Sequence, residues 1–419
     1  MPSKRFLSAL RVEEFDTLLG GIDARINEIE ESPLNEAAFR VLSRTINSKI
    51  DVPRFAKSRV DGYALKASNT FDSSVDDPVS LEVVGTVEMG ARPETQVSDG
   101  RCVYIPTGAM VPPGADAVVK VEFTESFKKQ DGREMEFVCV QKPIHPGGNI
   151  LPAGADLTKG ELILESGTWL TPARLGCLAA AGETIIPVYR KINACYFSTG
   201  SELAPPGAEL LPGYIHDVNS TTIFTLLNHS GCSSTYLGII DDDEASLTRT
   251  INDALSMGDI AICSGGTSKG NRDLFPTILE TRDDMELLVH GVRMKPGKPI
   301  VFGKMDKKHV FVLPGNPTSA IMTFIRFVQP ALRRWSRLPS RLPHVIPAIL
   351  EKRIYSEFGR RELKPIMLED GDEGKRLAIP IMKGSETITT LANADGYIEI
   401  PETTEILEEG TPVSVRLFQ

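Results

Sequence analysis

The sequence contains 419 residues, of which 41% are hydrophobic and 24% charged, and its formal net charge is −10. A chain of this length exceeds one ordinary hydrophobic core, so we expect a folded protein of several domains. The acidic balance argues against a general nucleic-acid-binding protein, so any anion would have to bind in a local pocket of cations and backbone amides. No apolar run is long enough for a membrane span or a signal peptide, and the six cysteines include no CxxC pair. We therefore expect a cytoplasmic protein without a membrane span, a disulfide framework or a zinc cluster.

The amino-terminal part of the chain is predicted to change from helical to β-rich and back. Apolar residues recur at helical spacing through residues 34–50 and, before them, at Val12, Phe15, Leu18 and Leu19. Short alternating segments separated by Pro and Gly indicate strands from 51 to 142, and residues 171–182 are typical of a helix. We expect residues 1–50 and 143–184 to form one discontinuous helical and mixed domain, with residues 51–142 inserted as a β-rich domain.

Strands and helices alternate over residues 185–338, which predicts a parallel sheet covered by helices on both faces, a three-layer α/β/α domain. One helix is predicted over 220–230, with Asn219 or Ser220 as its N-cap. A long apolar helix is predicted to end near Trp335. Ligands of such sheets bind beyond the carboxyl ends of the strands, where the Gly-rich and charged segments of this region fall. The remaining residues return to short strands and predict a separate small β domain.

The segment 264–270 follows a predicted strand and is rich in glycine. Gly265 and Gly266 would let the backbone approach a phosphate, with Ser268 and Lys269 beside them. The alternative is a tight strand-to-helix turn without a ligand. The residue types leave both interpretations open.

Two further segments suit an anion. Lys295 and Lys298 are separated by Pro and Gly, which hold two cations near one place, and an anion would relieve their repulsion. The alternative is a solvated surface turn. Asn316 and Pro317 suit the N-cap and first position of a helix. Capping alone explains them, and the alternative is a second anion site with Ser319 as a hydroxyl donor.

Acidic residues follow several predicted strands and turns, at Asp61, Asp156, Glu202, Asp241, Asp242, Asp243 and Asp273. Each alone is more often a helix cap or a turn residue. Together they offer carboxylates for Mg²⁺ beside the donors for phosphate. The six histidines lie in unrelated contexts, so we expect no Ser-His-Asp triad.

Read in chain order, these segments closely resemble the molybdopterin molybdenumtransferase family of the MoeA type, which includes the C-terminal enzyme domain of gephyrin. The resemblance covers nearly the whole chain. Its motifs are RVDGYAL (59–65), PTGAMVPPGADAVV (106–119), GGNILPAGADLTKGE (147–161), STGSEL (198–203), HDVNS (216–220), SGGTSKGNRD (264–273), MKPGKPIVFG (294–303), LPGNPTSAIMTF (313–324) and NADGYIEIPE (393–402). So many motifs in one order make the resemblance specific.

The resemblance implies an elongated homodimer with four domains per chain, the last a small β-barrel over residues 343–419. It implies an enzyme that inserts molybdate into adenylylated molybdopterin with the help of Mg²⁺, releases AMP and delivers molybdenum cofactor. The site would lie between the α/β domain of one subunit and the Asp61 domain of the other. The implied partners also include the adenylyltransferase of the same pathway and apo-molybdoenzymes.

Matched position by position, the resemblance implies three sets of site residues. The catalytic residues would be Asp61, Asp156, Glu202, Asp273, Lys295 and Lys298. The residues that bind the cofactor would be Thr107, Gly265, Gly266, Ser268, Lys269, Pro314, Gly315, Asn316, Pro317 and Ser319. The metal ligands would be Glu202, Asp242 and Asp273.

The chain departs from the family pattern in ways that leave alternatives open. Ser201 stands where an acid is usual, Arg59 and Val60 replace the common Ala-Met, and Lys269 and Arg272 add charge to the glycine-rich segment. A divergent paralogue that uses tungstate or another pterin fits these changes. An adenylyltransferase or nucleotide hydrolase on the same α/β domain would not need the β-rich insert or the barrel. A non-catalytic scaffold should have lost the acids and lysines that remain here.

Overall fold

The computed structural model describes residues 9–130, 134–265, 274–340, 344–371 and 374–418. The chain forms two compact units. The smaller unit comprises Glu31–Ala38 and Leu42–Pro187, and the larger unit comprises Met1–Glu30, Phe39–Val41 and Val188–Gln419. The finer division into four domains stays a prediction.

Helices and short strands make up the regular secondary structure of the chain. The described helices are α1 (Val12–Gly21), α2 (Pro172–Ala180), α3 (Val218–His229), α4 (Glu244–Met257), α5 (Leu274–Glu280), α6 (Pro317–Thr323), α7 (Gln329–Trp335) and α8 (Thr389–Ala392), with a π-helical turn at Phe324–Val328 between α6 and α7. The described strands are β1 (Ile29–Pro33), β2 (Ile46–Asn47), β3 (Lys57–Ser58), β4 (Gly62–Leu65), β5 (Val79–Thr86), β6 (Arg101–Ile105), β7 (Ala117–Lys120), β8 (Thr124–Gln130), β9 (Glu134–Val140), β10 (Ile150–Leu151), β11 (Leu162–Leu164), β12 (Ile185–Tyr189), β13 (Asn193–Thr199), β14 (Leu203–Ala204), β15 (Ile215–His216), β16 (Ser233–Ile240), β17 (Ile260–Ser264), β18 (Glu286–His290), β19 (Met294–Lys295), β20 (Val301–Met305), β21 (Lys308–Leu313), β22 (Val345–Leu350), β23 (Ile354–Tyr355), β24 (Arg361–Asp370), β25 (Arg376–Pro380), β26 (Gly396–Ile400), β27 (Ile406–Leu407) and β28 (Pro412–Leu417).

The smaller unit is built on a six-stranded sheet with the strand order β7-β4-β6-β5-β9-β8. Its core is apolar, and Leu65, Leu81 and Val138 are almost completely buried in it. Helix α2 begins after Thr171, whose hydroxyl oxygen accepts the Arg174 N–H at 3.4 Å. The predicted strands of the 51–142 region and the predicted helix after Thr171 are confirmed.

The helix predicted over residues 34–50 is wrong. This segment forms a 3₁₀ turn at Leu34–Glu36 and the short strand β2. Its backbone forms hydrogen bonds with residues that are distant in sequence. The Leu42 N–H donates to the carbonyl oxygen of Thr168 at 2.9 Å, and the Ser43 N–H donates to that of Pro187 at 2.9 Å. Apolar spacing cannot report partners that lie more than 100 residues away, so tertiary pairing overrides the helical pattern.

The larger unit contains a second six-stranded sheet with the order β16-β13-β17-β21-β20-β18. The first four strands are parallel, whereas β20 is antiparallel to both of its neighbours. Strands β20 and β21 are joined by two residues, and a connection of that length can only form an antiparallel hairpin. Asp306 in this turn has a φ of 50°, a left-handed conformation that such turns require. The expected parallel sheet is therefore mixed at one side.

Helices cover both faces of this sheet, which confirms the three-layer α/β/α prediction. On one face, the Phe15 ring of α1 lies 4.7 Å from that of Phe327 and 6.0 Å from that of Phe302. On the other face, α4 and α5 bury Leu247, Ile251 and other apolar residues against the strands. The helix that opens with α6 ends at Trp335, as predicted.

The predicted N-cap of α3 is wrong. The cap is Asp217, whose side-chain Oδ1 accepts the Ser220 N–H at 3.0 Å. Asn219 and Ser220 lie inside the first turn. The cap of α4 is Asp243, which accepts the Ser246 N–H at 2.9 Å, so for this acid the expectation of a helix cap is confirmed.

The C-terminal strands form the expected small barrel. Strands β24, β25, β22, β28 and β26 pair in that order, and the additional β24–β26 pairing closes the ring. Its core includes Ile366, Ile398 and Ile400. Strand β19 adds to the barrel by pairing in parallel with β24. The segment that carries Lys295 is therefore bonded to the barrel.

Candidate functional site

The carboxyl ends of the four parallel strands lie side by side at one edge of the larger unit's sheet. Ser198 pairs with Ser264, Ser264 pairs with Leu313, and Thr199 pairs with Ile240. The segments that follow these strand ends therefore begin at the same edge. The described predicted site residues in those segments are Glu202, Asp242, Gly265, Pro314, Gly315, Asn316, Pro317 and Ser319.

Gly265 contacts the ends of both neighbouring strands. A Cβ atom at this position would lie 2.0 Å from the Thr199 carbonyl oxygen, and its φ is 111°, so only glycine fits without a backbone shift. The Gly265 N–H donates to the Leu313 carbonyl oxygen at 3.2 Å. Gly265 therefore allows the Thr199 backbone to approach closely, and its own N–H is already hydrogen-bonded within the protein. The other predicted residues of this turn, Gly266, Ser268, Lys269 and Asp273, lie outside the described residues.

Residues 291–300, here called the lysine loop, reach the same edge from the antiparallel side. Val301 pairs with Val312 near the carboxyl end of β21, which places the start of β20 at that edge. The Gly291 N–H donates to the Ile300 carbonyl oxygen at 2.8 Å, and the Val292 N–H donates to that of Lys298 at 2.9 Å. The lysine loop is thus closed by its own backbone hydrogen bonds, as a loop between buried strands.

Both lysines of the lysine loop are exposed while its backbone is tightly packed. A Cβ atom at Gly297 would lie 2.3 Å from the Thr323 hydroxyl oxygen of α6. Lys295 belongs to β19, and its Nζ lies 3.6 Å from Oε2 of the buried Glu362. Lys298 extends from the same loop with an exposed side chain. The loop can therefore present two cations from a fixed backbone.

Residues 314–319, here called the proline turn, open helix α6. Asn316 occupies the N-cap position, but its side chain forms no capping bond and instead donates to Ser385 Oγ at 3.3 Å. The Thr318 N–H donates to the Ser385 carbonyl oxygen at 3.2 Å, and the buried Asn219 side chain donates to the Gly315 carbonyl oxygen at 2.8 Å. The proline turn is therefore held from α3 and from the C-terminal region. Ser319 is buried at its end.

The two described metal-ligand candidates follow neighbouring strands. Asp242 Oδ1 accepts a hydrogen bond from Thr199 Oγ1 at 3.2 Å. The Glu202 carboxylate is exposed and folds back toward Gly200. Among the residues that the structure describes, no group of three His, Cys, Asp or Glu side chains could hold a metal ion. The pKa of the neighbouring Asp243 is lowered by the hydrogen bond from the Ser246 N–H, which fits its role as a helix cap.

In the smaller unit, Asp61 and Thr107 meet directly. The Thr107 N–H donates to Asp61 Oδ1 at 2.7 Å, and its hydroxyl donates to the same oxygen at 3.0 Å. The next residue must be glycine, because a Cβ at Gly62 would lie 1.8 Å from the Val119 carbonyl oxygen. The Asp61 carboxylate is thereby fixed in direction. Asp156 is exposed in a turn, and its own backbone N–H donates to the carbonyl oxygen of Val52 at 3.0 Å.

Comparison with known proteins shows to which family this chain belongs. Residues 10–182 match the MoeA N-terminal region (domain I and II), residues 196–334 match a probable molybdopterin binding domain, and residues 347–418 match the MoeA C-terminal region (domain IV). The chain is 32% identical over 400 residues to the molybdopterin molybdenumtransferase of Bacillus subtilis, with 94% of this chain and 90% of the relative covered. The chain belongs to the MoeA-type molybdopterin molybdenumtransferase family.

Two further comparisons agree with this membership. The chain is 31% identical over 392 residues to the molybdopterin molybdenumtransferase of Haemophilus influenzae, with 92% of this chain and 93% of the relative covered. It is similar to the crystal structure of a molybdopterin biosynthesis MoeA protein from Pyrococcus horikosii, with a TM-score of 0.81 and 36% identity over 98% of this chain and 100% of that one. The resemblance inferred from the motifs is confirmed.

This MoeA-type chain also contains a hydroxyl network that sequence reasoning missed. Tyr196 Oη lies 2.6 Å from Ser264 Oγ and 2.9 Å from Ser198 Oγ. Tyr236 Oη donates to Asp217 Oδ2 at 2.9 Å. Burial, followed by the charge of Asp217, raises the pKa of Tyr236 to about 12, so the phenol stays protonated and acts as a donor. The first group lies at the ends of β13 and β17 and the second at the start of α3, and the rings of Tyr196 and Tyr236 stack with their centroids 5.7 Å apart. Of these residues, only the serines belong to the motifs that the sequence singled out.

The structure also addresses the membrane prediction. None of the helices within the described ranges is long and apolar enough to cross a membrane.

Proposed function

We propose that this chain is a molybdopterin molybdenumtransferase, which inserts molybdate into adenylylated molybdopterin and releases AMP. The observation that carries the proposal is the meeting of the lysine loop, the proline turn and Gly265 at one sheet edge. The relatives named for this activity resemble the chain over more than nine tenths of its length. The proposal therefore rests on several segments that meet at one sheet edge, rather than on any single motif.

The lysines are proposed to bind the substrate's phosphates. Lys295 and Lys298 are exposed cations on a packed loop, so little conformational freedom of the backbone is lost when an anion binds. Gly265 packs directly against the Thr199 carbonyl oxygen and so fixes the backbone of two strand ends at the same edge. As the bond to AMP breaks, the lysines would stabilise charge that develops on the leaving phosphate. No covalent intermediate with the protein is required.

A divalent cation is proposed to assist this step. Mg²⁺ in phosphate-handling sites is usually held by one or two carboxylates together with substrate phosphates and water, so Glu202 and Asp242 fit its chemistry. Asp273 is proposed as a further ligand and lies outside the described residues. A bound Mg²⁺ would neutralise charge on the phosphoanhydride. Replacing Asp273 by Asn should abolish AMP release while leaving the unfolding midpoint in urea unchanged.

We also propose roles for the acidic residues of the smaller unit and an oligomeric state for the chain. Asp61 and Asp156 of the smaller unit are proposed catalytic residues, and Thr107 positions the first of them through two hydrogen bonds. We further propose a homodimer in the cytoplasm, with the adenylyltransferase of the same pathway and apo-molybdoenzymes as partners. Sedimentation of the purified chain tests the dimer, because a monomer at micromolar concentration would contradict it.

The experiment that tests the function measures AMP release from adenylylated molybdopterin with Mg²⁺. Molybdate, tungstate and no oxyanion are compared. We expect release that depends on molybdate. A preference for tungstate would favour the divergent paralogue, which the extra cations Lys269 and Arg272 suggest. Tight binding without release under any oxyanion would contradict the enzyme and favour a scaffold.

A further inference from the structure

The C-terminal barrel places a buried carboxylate beside the lysine loop. Glu362 is 5% exposed and is the register partner of Lys295 in the parallel pair of β19 and β24. Its Oε2 lies 3.6 Å from Lys295 Nζ and accepts a hydrogen bond from Ser356 Oγ at 2.9 Å. An isolated buried carboxylate is costly, so this one requires cationic partners. Lys295 is one of them.

A second lysine shares the same carboxylate. Lys364 lies two residues along β24 from Glu362, so both side chains are on one face of the strand. Its Nζ is 4.0 Å from Glu362 Oε1, and its side chain is only 13% exposed. Burial lowers the pKa of Lys364, the charge of Glu362 opposes this, and the charge of Lys295 lowers it further. A nearly buried lysine is therefore held close to another cation.

The charges of this cluster do not balance. Lys295 and Lys364 contribute two positive charges and Glu362 one negative charge, which leaves a net charge of +1. The two backbones cannot separate to relieve the repulsion, because β19 and β24 are paired and the Arg361 N–H donates to the Arg293 carbonyl oxygen at 3.0 Å. A bound anion would relieve it. The cluster has the electrostatics of a binding site rather than of a completed ion pair.

We propose that Lys364 is a third phosphate-binding cation of the site and that Glu362 is the positioning residue that holds Lys295 and Lys364 side by side. The inference rests on the proposed function, which assigns phosphates to the lysine loop. It adds the barrel, through β24, to the residues that recognise the substrate. The ligand class is a phosphoanhydride or phosphate monoester, because compact ammonium groups bind such oxygens as point charges.

The test measures pyrophosphate binding by calorimetry on the full chain at low salt. We expect K364M to weaken binding about tenfold, and K364R to restore it to within about threefold, since a charge near an anion in a partly buried site contributes on this scale. The matched control is K352M, because Lys352 is a barrel lysine that also pairs with a glutamate, Glu351 at 3.5 Å, but is 67% exposed. K352M should bind as the wild type does. If K364M fails to fold, K364Q carries the same expectation.

The role of Glu362 is tested by whether its replacement weakens or tightens pyrophosphate binding. If it only opposed an anion by charge, E362Q would tighten pyrophosphate binding. If Glu362 is instead a positioning residue, E362Q should weaken pyrophosphate binding by at least about threefold, even though it removes a negative charge. E362D should then restore part of the affinity. Tighter binding by E362Q would overturn the positioning role.

The outcomes for the two proposals are distinct. If K298M weakens pyrophosphate binding while K364M matches K352M, the inference about Lys364 fails and the proposed function stands. If the wild-type chain binds no pyrophosphate, or K298M has no effect on its binding, both proposals fail.

Discussion

The lysine loop and the Asp61 turn (residues 58–62) present charged groups in opposite ways. The Asp61 carboxylate is fixed by two hydrogen bonds from Thr107, at 2.7 and 3.0 Å. Lys298 is exposed on a loop whose backbone is fixed, and its side chain has no hydrogen-bond or ion-pair partner among the residues that the structure describes. A carboxylate held in this manner suits a role that depends on direction, whereas flexible ammonium groups suit a role that depends on charge. Substitutions should therefore affect the two regions differently.

The largest expected effect comes from the glycine that joins the strand ends beside the lysine loop. Gly265→Ala places a Cβ 2.0 Å from the Thr199 carbonyl oxygen at a φ of 111°. We expect the free energy of unfolding to fall by about 3 kcal/mol or more, because backbone strain and a steric clash combine. Urea unfolding measures the loss. Gly207→Ala is the matched control, since its φ is 85° but nothing lies within 4 Å of the added Cβ, and it should cost about 1 kcal/mol.

Acid should weaken the larger unit before the smaller one. His309 is stacked between Phe302 and Trp335, and burial lowers its pKa to about 4. It is therefore neutral in the folded state, whereas in the unfolded chain it gains a proton as the pH falls below about 6.5. Between those two pH values the larger unit should lose up to about 3 kcal/mol of stability.

The control for this acid effect is His309→Phe, which should flatten the pH dependence of unfolding between pH 6.5 and 4. The one histidine of the smaller unit, His145, is exposed rather than buried. Equal acid sensitivity of His309→Phe and the wild type would contradict the assignment.

Lys298 tests whether charge is what the lysine loop provides. Lys298→Met should raise the KM for adenylylated molybdopterin about tenfold or more, because an exposed cation that binds phosphate is lost. Lys298→Arg keeps the charge and should recover most of the affinity. Steady-state AMP release at several ionic strengths measures both. An arginine variant as impaired as the methionine variant would show that direction matters here too.

The smallest effect is expected where Thr107 positions Asp61. Thr107→Val removes the hydroxyl hydrogen bond at 3.0 Å and keeps the backbone one at 2.7 Å. We expect kcat to fall about fivefold with little change in KM, since one hydrogen bond to a charged group is lost. Thr107→Ser should restore kcat. A change in KM alone would mean that Thr107 contacts the substrate rather than positioning the carboxylate.

The sequence predicted the parts of the fold and site that depend on neighbouring residues. Gly and Pro at strand ends placed the lysine loop and the proline turn correctly, because turn chemistry is local. The cap of α3 was predicted wrongly, because Asp217, Asn219 and Ser220 are all residue types that favour the N-cap position and the sequence alone does not choose among them. The long-range supports were not readable. Glu362 and Ser385 lie more than 60 residues from the loops they hold, and no periodicity connects them.

The central claim is that substrate phosphate binds at the carboxyl edge of the larger unit's sheet, beside the lysine loop. A crystal structure of the chain soaked with AMP tests it most directly. We expect a phosphate within hydrogen-bonding distance of Lys295 or Lys298 and near Gly265. A well-ordered AMP phosphate bound elsewhere, with the lysine loop free of ligand, would contradict the claim.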